Sequence, residues 1–357
     1  MKSLIDVPQL SREQIRSLMD TACDIDAHPE KYQNAMAHKK LATLFYEPST
    51  RTRLSFEAAM LELGGSVIGF SSPDSSSVSK GETVADTARV ISCYADVIVM
   101  RHPMDGAPTV AALNASVPVI NAGDGGHCHP TQTLADLLTV YREKGRLTDL
   151  KIGFCGDLKY GRTVHSLLNA LTGYENVTAY LISPRELRLP SYMTEKLDKC
   201  RMEYVATESL EEALPHLDVI YMTRIQEERF ADHDEYLRLR DSYVLDAQKM
   251  KLARPDACVL HPLPRVNEIA CEVDDDPRAC YFKQVKNGKL MRMALILMLA
   301  SGGKCRDFEF FTDDGLICRN PRCVSNHERG LKGRFTDANG DKRCLYCDHK
   351  AMPKEEN

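Results

Sequence analysis

Strand-like and helix-like segments alternate along this chain, and that alternation constrains the fold more than any other feature of the sequence. From about residue 41 to residue 300, short aliphatic runs are separated by longer segments in which apolar residues recur at helical spacing. Such alternation is typical of open parallel sheets that carry helices on both faces. We therefore predict an α/β fold with two doubly wound parallel-sheet domains.

The predicted elements fall into two sets, after a capping box at 11–14 that opens the first helix. In the first set, strands are predicted at 41–46, 66–70, 96–101 and 117–121, and helices at 54–63, 82–94, 108–115 and 131–143. In the second set, strands are predicted at 151–156, 177–182, 202–206, 218–224 and 258–261, and helices at 162–171, 192–200 and 210–217. The corresponding domains are 1–145 and 146–287, and a last helix within 288–303 is expected to return to the first domain.

A motif rich in hydroxyl and guanidinium groups follows the first predicted strand. Residues 47–53 read Glu-Pro-Ser-Thr-Arg-Thr-Arg and lie where the strand passes into a helix. Free backbone N–H groups and the helix dipole favour an anion there, and side chains add further donors from Ser49, Thr50, Arg51 and Thr52. The alternative, a serine N-cap followed by solvated arginines, suits a lone Ser-Thr pair better than this cluster. We interpret the motif as a phosphate site.

Other polar residues also follow predicted strands. Each of them alone is more typical of a surface charge or of a hydrogen-bonded core histidine. Ligands of open α/β sheets bind beyond the carboxyl ends of the strands, so the shared position of so many cations indicates a site for strongly anionic ligands. These residues are Arg101, His129, Gln132, Asp157, Lys159, Arg162, Arg224 and the segment 261–265.

Composition argues against several classes of protein. A formal net charge of −5 and a pI near 6.1 disfavour nucleic acid as the main ligand. The first eight residues lack the apolar core of a signal peptide, and the longest apolar stretch, 290–300, contains Arg292 and is too short to span a membrane. Most of the 13 cysteines occur singly in apolar segments, as expected of reduced thiols in a cytoplasmic protein.

Only the last four cysteines form a pattern. Cys318 and Cys323 enclose four residues, Cys344 and Cys347 enclose two, and 20 residues separate the pairs. Two close pairs of thiolates are typical of a structural zinc site with four cysteine ligands. His327 and His349 are alternative ligands that a full cysteine set makes unnecessary. We predict a small β-rich zinc-binding domain at 305–357, whose folding energy comes largely from the metal.

Seven motifs in the α/β region resemble those of the transcarbamoylases, and within them the catalytic chains of the aspartate carbamoyltransferases. The likeness extends over about residues 41–299. It implies transfer of the carbamoyl group of carbamoyl phosphate to L-aspartate, the committed step of pyrimidine synthesis. The motifs occupy 49–53, 80–83, 101–103, 129–136, 156–163, 223–226 and 261–265.

The resemblance also implies a role for each matching residue. The phosphate is expected to contact Ser49, Thr50, Arg51, Thr52 and Arg101. The carbamoyl group is expected to contact His129, Gln132 and the backbone at Leu263 and Pro264, which a cis peptide joins in the family. Aspartate is expected to contact Arg162, Arg224 and Gln226. A loop that enters the site of a neighbouring subunit is matched by Lys80 with either Ser76 or Ser77, which implies a homotrimer with shared sites.

The implied chemistry requires neither a metal nor a covalent intermediate. Phosphate is a good leaving group, so the protein has to position the substrates and stabilise the oxyanion of a tetrahedral intermediate. The expected catalytic groups are Arg51, Thr52, Arg101, His129 and Lys80. A neutral His129 can donate a hydrogen bond to the carbonyl oxygen. The competing interpretation makes this histidine a general base.

Two other functions stay open. Ornithine carbamoyltransferase shares the phosphate motif, but the second carboxylate of aspartate requires paired arginines, which Arg162 and Arg224 provide. A zinc-ribbon nucleic-acid-binding protein with a degenerate enzyme domain fits less well, because the charge is acidic and the set of site residues is complete. The cysteine segment resembles the zinc domain of the aspartate carbamoyltransferase regulatory chain, here fused to a catalytic chain. It is expected to brace catalytic subunits or to join trimers into a higher assembly. Neither nucleic acid nor membrane is expected as a partner.

Overall fold

The computed structural model describes residues 2–72, 80–225, 233–240, 242–338 and 340–354. It divides into two compact units. The first unit consists of Met1–Thr131 together with Lys289–Asn357, and the second consists of Gln132–Gly288. The domain bounds expected near residues 145 and 288 stay a prediction.

The first unit contains a four-stranded parallel sheet in the order β2-β1-β3-β4. Its strands are β1 (Lys40–Phe45), β2 (Ser66–Phe70), β3 (Val97–His102) and β4 (Val119–Asp124). Its helices are α1 (Arg12–Ala27), α2 (Thr50–Glu62), α3 (Val84–Ile91) and α4 (Ala107–Asn114). The strand order reverses between β1 and β3, so the carboxyl ends of these two strands form the switch point at which such sheets bind ligands.

The second unit contains a five-stranded parallel sheet in the order β7-β6-β5-β8-β9. Its strands are β5 (Leu150–Cys155), β6 (Val177–Ile182), β7 (Glu203–Thr207), β8 (Val219–Met222) and β9 (Cys258–Leu260). Its helices are α6 (Arg162–Leu171), α7 (Ser191–Lys199), α8 (Leu210–Ala213), α9 (His233–Leu239) and α10 (Ala247–Met250). Here the order reverses between β5 and β8. Two further helices, α5 (Pro130–Lys144) and α11 (Tyr281–Ala300), contain residues of both units.

The C-terminal segment of the first unit adds two antiparallel strand pairs. In these pairs β10 (Leu316–Cys318) meets β13 (Ala351–Pro353), and β11 (Phe335–Ala338) meets β12 (Asp341–Cys344). The four cysteines and the fully buried Tyr346 belong to one hydrophobic core with residues of β1, β3 and α4. Burial of apolar surface in this shared core therefore stabilises the segment in addition to any metal.

The predicted fold class is confirmed, and most predicted elements lie within a few residues of the observed ones. The capping box of α1 is present, since the Ser11 hydroxyl accepts from the Gln14 N–H at 3.2 Å. Helix α2 begins at Thr50 rather than at residue 54, because the polar residues 50–53 form its first turn. Among the described residues, no helix is both long and apolar enough to cross a membrane.

Helix α11 begins at Tyr281, seven residues before the predicted start. The reason differs from that for the early start of α2. Its first half buries polar side chains that hydrogen-bond to α5, which an apolar pattern cannot reveal. Gln284 Nε2 donates to Asp136 at 2.6 Å, and Asn287 Nδ2 donates to the Thr139 hydroxyl at 3.0 Å. The short helices α9 and α10 are absent from the sequence-based prediction.

Candidate active site and metal centre

The start of α2 follows β1 after four residues and has no side-chain cap. Ser49 occupies the N-cap position, but its side chain makes no capping hydrogen bond. The first-turn N–H groups thus lack the usual serine acceptor, and they point away from the helix with the positive end of its dipole. Arg51 is exposed in this first turn, whereas Thr52 is buried.

Arg101 is the penultimate residue of the neighbouring strand β3, and its side chain is buried, 10% exposed. Its Nε lies 3.1 Å from Oε2 of Glu47, and its backbone carbonyl accepts from the Tyr46 N–H at 2.9 Å. A guanidinium that has lost its water needs a nearby anion, and Glu47 supplies one on the Nε side. Glu47 belongs to the motif 47–53, but nothing in the motif indicates that it pairs with Arg101.

His129 lies close to Arg101. A Cβ added at Gly123 would lie 3.3 Å from Nη1 of Arg101 and 3.4 Å from Cδ2 of His129, so both side chains approach the same glycine. Gly123 has φ = +116°, a conformation that favours glycine. The structure therefore brings together Arg101, His129 and the start of α2 within the first unit.

His102, the last residue of β3, is buried and stays neutral. Its Nδ1 accepts from the Met104 N–H at 3.0 Å, and its ring lies 4.5 Å from that of Tyr46. Burial lowers the pKa of His102 to about 4, although the nearby Asp124 acts in the opposite direction. The positive charge of this region therefore comes from arginine.

The switch point of the second sheet is joined by hydrogen bonds between its two central strands. The Thr223 hydroxyl donates to the carbonyl of Cys155 at 3.0 Å and accepts from the Asp157 N–H at 3.1 Å. Arg224 follows Thr223, and Arg162 is the first residue of α6, which follows β5. Both arginines are partly exposed. Two cations thus come from adjacent strand ends of this unit.

Gln132 lies in the first turn of α5 with its amide nitrogen already bound. Nε2 donates to Oδ1 of Asp136 at 2.7 Å. Asp136 is fully buried and also accepts from the Tyr221 hydroxyl at 2.9 Å and from Gln284. This network fixes the amide of Gln132 in one orientation.

The Leu263–Pro264 peptide is cis, as the resemblance implied. His261 holds the segment in place, because its Nδ1 accepts from the Leu263 N–H at 2.8 Å and its Nε2 lies 2.7 Å from Oε1 of Glu268. Burial tends to raise the pKa of Glu268, but the His261 contact and backbone N–H groups lower it below its ordinary value overall. Glu268 is a supporting residue that the motif did not reveal.

Three predicted site residues, Ser76, Ser77 and Gln226, lie outside the described residues. Lys80 is described and exposed. Its expected role in a neighbouring subunit stays a prediction, as do the individual roles of the other site residues.

The four C-terminal cysteines form a compact cluster of buried thiols. The Sγ atoms of Cys318 and Cys347 are 3.4 Å apart, those of Cys323 and Cys344 are 3.7 Å apart, and all four lie within 4.8 Å of one another. All of them are free, so these distances do not arise from disulfides. Tetrahedral zinc with bonds of about 2.3 Å separates its sulfur ligands by about 3.8 Å. The cluster therefore fits a tetrahedral metal ion.

Three family models match this chain. Residues 2–142 match the carbamoyl-P binding domain of aspartate/ornithine carbamoyltransferase, and residues 148–299 match its Asp/Orn binding domain. Residues 313–356 match the metal binding domain of the aspartate carbamoyltransferase regulatory chain.

Curated relatives are similar over almost their whole length. The aspartate carbamoyltransferase catalytic subunit of Lachnoclostridium phytofermentans is 60% identical over 300 residues, which make up 84% of this chain and 98% of the relative. That of Clostridium acetobutylicum is 58% identical over 299 residues, or 84% of this chain and 97% of the relative.

Solved structures show the same likeness. The catalytic subunit of M. jannaschii aspartate transcarbamoylase is 48% identical with a TM-score of 0.79, and the match covers 84% of this chain and 98% of that one. The aspartate transcarbamoylase of Trypanosoma cruzi, in complex with carbamoyl phosphate and aspartate, is 39% identical with a TM-score of 0.78. That match covers 83% of this chain and 95% of the other.

Proposed function

The chain belongs to the aspartate carbamoyltransferase family, and on that premise we propose that it converts carbamoyl phosphate and L-aspartate to N-carbamoyl-L-aspartate and phosphate in the committed step of pyrimidine synthesis. The observation that carries this proposal is the approach of Arg101 and His129 to Gly123, at the switch point where α2 begins without a capping side chain. The relative from Trypanosoma cruzi binds the same two substrates.

The first unit supplies the groups that act on carbamoyl phosphate. The phosphate binds the start of α2 and the side chains of Ser49, Thr50, Arg51, Thr52 and Arg101. As the amine attacks the carbamoyl carbon, the carbonyl oxygen gains negative charge, which Thr52, Arg101 and His129 stabilise by donating hydrogen bonds. Arg101 is an effective donor because its buried environment has a low dielectric constant and its position is fixed before the reaction.

Acceptors are needed for the carbamoyl NH2 group. With its nitrogen bound to Asp136, Gln132 presents its carbonyl oxygen, and the backbone carbonyls of Leu263 and Pro264 act in the same way. The carbon–nitrogen bond forms, the carbon–oxygen bond to phosphate breaks, and the departing phosphate takes the proton of the amine. No general base is required, so His129 serves as a neutral donor.

Aspartate binds to the second unit. Its two carboxylates require two cations. Arg162 begins the helix after β5 and Arg224 follows β8, and these two strands are adjacent. Gln226, which lies outside the described residues, completes this set. The paired arginines favour aspartate over ornithine, which carries one carboxylate.

The choice of amino acid is tested by supplying carbamoyl phosphate with either aspartate or ornithine. We expect N-carbamoyl-aspartate with the first and no citrulline above background with the second. Citrulline formation at a comparable rate would overturn the assignment of aspartate. Phosphate release without either product would overturn the transferase itself.

Shared sites and a homotrimer follow from the role given to Lys80 and to Ser76 or Ser77. Lys80 is exposed, as a residue that acts in another subunit has to be. Two inactive variants, Lys80→Ala and Arg51→Ala, test this arrangement when their chains are mixed and allowed to exchange. Shared sites predict recovered activity, because some sites then receive both native residues. Mixtures that stay inactive despite chain exchange would count against them.

The fused cysteine segment binds structural zinc and serves assembly. Cys318, Cys323, Cys344 and Cys347 would hold the ion, which contributes folding energy and no step of the reaction. Metal analysis should find about one zinc per chain, lost in Cys347→Ser and retained in Cys93→Ser, a change at an exposed thiol. Sizing chromatography after zinc removal should show a smaller assembly, and an unchanged assembly would contradict this role. A cytoplasmic location is proposed because most of the cysteines occur singly in apolar segments, as expected of reduced thiols.

A further inference from the structure

A path of buried hydrogen bonds connects the cysteine segment with the loop that precedes His129. Asp105 lies at its centre and is only 4% exposed. Its Oδ1 accepts from the Gly126 N–H at 2.8 Å, and its Oδ2 accepts from Nδ2 of Asn320 at 2.8 Å. Gly126 belongs to the loop 124–128, whereas Asn320 lies between two of the cysteines. One carboxylate therefore binds both segments.

Backbone contacts place the cysteines directly against the same point. The Asp105 N–H donates to the carbonyl of Arg322 at 2.9 Å, and the Val324 N–H donates to the carbonyl of Asp105 at 3.0 Å. These two bonds enclose Cys323. A Cβ at the next residue, Gly106, would lie 2.4 Å from the carbonyl oxygen of Tyr346, between Cys344 and Cys347. Residues beside both cysteine pairs thus contact residues 105–106.

The loop itself is held from the same side. Asp124 is fully buried and accepts from the Gly106 N–H at 2.7 Å. Its other contacts close the loop, since its carboxylate lies 2.9 Å from Nδ1 of His127 and its N–H donates to the carbonyl of Cys128 at 3.3 Å. His129 is the next residue. Displacement of residues 105–106 would therefore be passed to the residue just before His129.

We infer that Asp105 is a positioning residue, through which the metal-bound cysteine segment holds the loop 124–128 and so sets the place of His129. A carboxylate suits this position because both of its oxygens accept from donors, the Gly126 N–H and Nδ2 of Asn320. In asparagine, the amide NH2 group would face one of these donors and could not accept from it. A buried carboxylate is stable only while its donors are present. Removal of the metal loosens the segment that carries Asn320, so Asp105 loses the hydrogen bond that Asn320 donates. The path of contacts is independent of the reaction, and only the role of His129 rests on the proposed function.

Hydrogen–deuterium exchange of the whole protein, without substrates, tests the coupling directly. Chelation of the metal should increase exchange in peptides that cover residues 123–129, by about tenfold, because loss of a buried hydrogen bond lowers the local opening energy. Exchange in β6 of the second sheet should not change. If the cysteine segment exchanges faster after chelation while 123–129 keeps its protection, the inference is overturned.

Reciprocal variants test the residue with the metal retained. Asp105→Asn should increase exchange in 123–129 as chelation does. The double variant Asp105→Asn with Asn320→Asp should restore protection, because the new amide donates to the new carboxylate while its oxygen still accepts from Gly126. Asp20→Asn makes the same substitution at an exposed ion pair with Arg16 and should have no effect. Failure of the double variant to restore protection would contradict the inference.

If Asp105→Asn does not fold, Asn320→Ala removes the same hydrogen bond from the side of the donor. Unchanged exchange of residues 123–129 in that variant would contradict the inference equally.

Kinetics separate this inference from the proposed function. Asp105→Asn should lower kcat or raise the KM for carbamoyl phosphate by about tenfold while the KM for aspartate is unchanged, and the double variant should recover both values. An equal change in both KM values would indicate general damage and contradict a positioning role. Absence of the transferase activity in the wild type would overturn the proposed function and leave the exchange result intact.

Discussion

In the first sheet, Arg101 is the penultimate residue of β3 and has a buried side chain that lies 3.1 Å from Glu47. In the second sheet, Arg224 follows β8 and is partly exposed. Both residues occupy the switch point of a doubly wound sheet, so topology alone does not distinguish them. Their environments do. A buried and paired guanidinium has already lost its water and is fixed before a ligand arrives, while an exposed one keeps part of its hydration until it binds.

This difference separates two kinds of contribution to catalysis. Donors that are fixed and desolvated stabilise charge as it develops, without reorganisation, and therefore affect kcat. Cations that bind a substrate carboxylate equally in the ground state and the transition state affect KM. We therefore expect the first sheet to control the rate of the chemical step and the second to control the affinity for aspartate.

The largest expected effect tests the first half of this comparison. Arg101→Ala should lower kcat by roughly 10²- to 10³-fold, the usual loss for a donor to a developing oxyanion. Steady-state kinetics with both substrates saturating measures it. Because the substitution also leaves the partly buried Glu47 without its cation, the double variant Arg101→Met with Glu47→Gln separates the two causes. It should stay inactive, and recovery of activity there would show that Arg101 matters only as the partner of Glu47.

A smaller effect is expected in the second sheet. Arg224→Ala should raise the KM for aspartate by roughly tenfold to a hundredfold, the loss expected for one charge-assisted hydrogen bond. Calorimetric binding of carbamoyl phosphate should not change. Arg185→Ala is a matched control, since Arg185 is 79% exposed and pairs with Glu208. A fall in kcat of Arg224→Ala with an unchanged KM would remove the distinction between the two sheets.

The two sheets and the positions of their arginines in the sequence could be predicted, because they depend on local sequence patterns. The bounds of β2, β6 and α6 agree with the prediction, since each is an apolar run or helical repeat bounded by glycine or polar residues. Arg101 lies at the end region of β3, Arg224 follows β8, and Arg162 begins the helix after β5. Prediction of the strands therefore also predicted the sheet edges at which these cations lie. The carboxyl ends of adjacent parallel strands meet at one edge of a sheet, and no side-chain detail was needed.

The supporting residues could not be predicted, because their contacts depend on packing between distant segments. Asp105 and Asn320 are 215 positions apart in the sequence, and neither belongs to a periodic pattern. Glu268 and Gln284 are buried polar residues whose partners come from other elements. In each case the informative feature is burial of a polar group with a specific partner, which a sequence shows only after the fold is known. The individual roles of the site residues stay predictions.

The smallest expected effect is a change of stability with pH that arises from His102, a buried histidine of the first unit, in contrast to the buried His261 of the second unit. His261 lies 2.7 Å from the carboxylate of Glu268, whereas His102 uses its Nδ1 to accept from a backbone N–H, and burial lowers its pKa to about 4. In the unfolded chain its pKa is near 6.5. Between these values the unfolded chain binds more protons than the folded one, so His102 makes stability decrease as pH falls below 6.5.

His102→Asn measures this contribution, because asparagine keeps an acceptor for the Met104 N–H but does not titrate. Denaturant titrations at pH 7.5 and pH 5.5 give the free energy of unfolding of each protein. The advantage of the wild type over the variant should shrink by about 1 kcal/mol between the two, since one pH unit below the unfolded pKa corresponds to about 1.4 kcal/mol. A difference that is constant with pH would mean that His102 accepts a proton in the folded state. The first site would then owe part of its positive charge to histidine, and the contrast with the second sheet would be weaker than its arginines indicate.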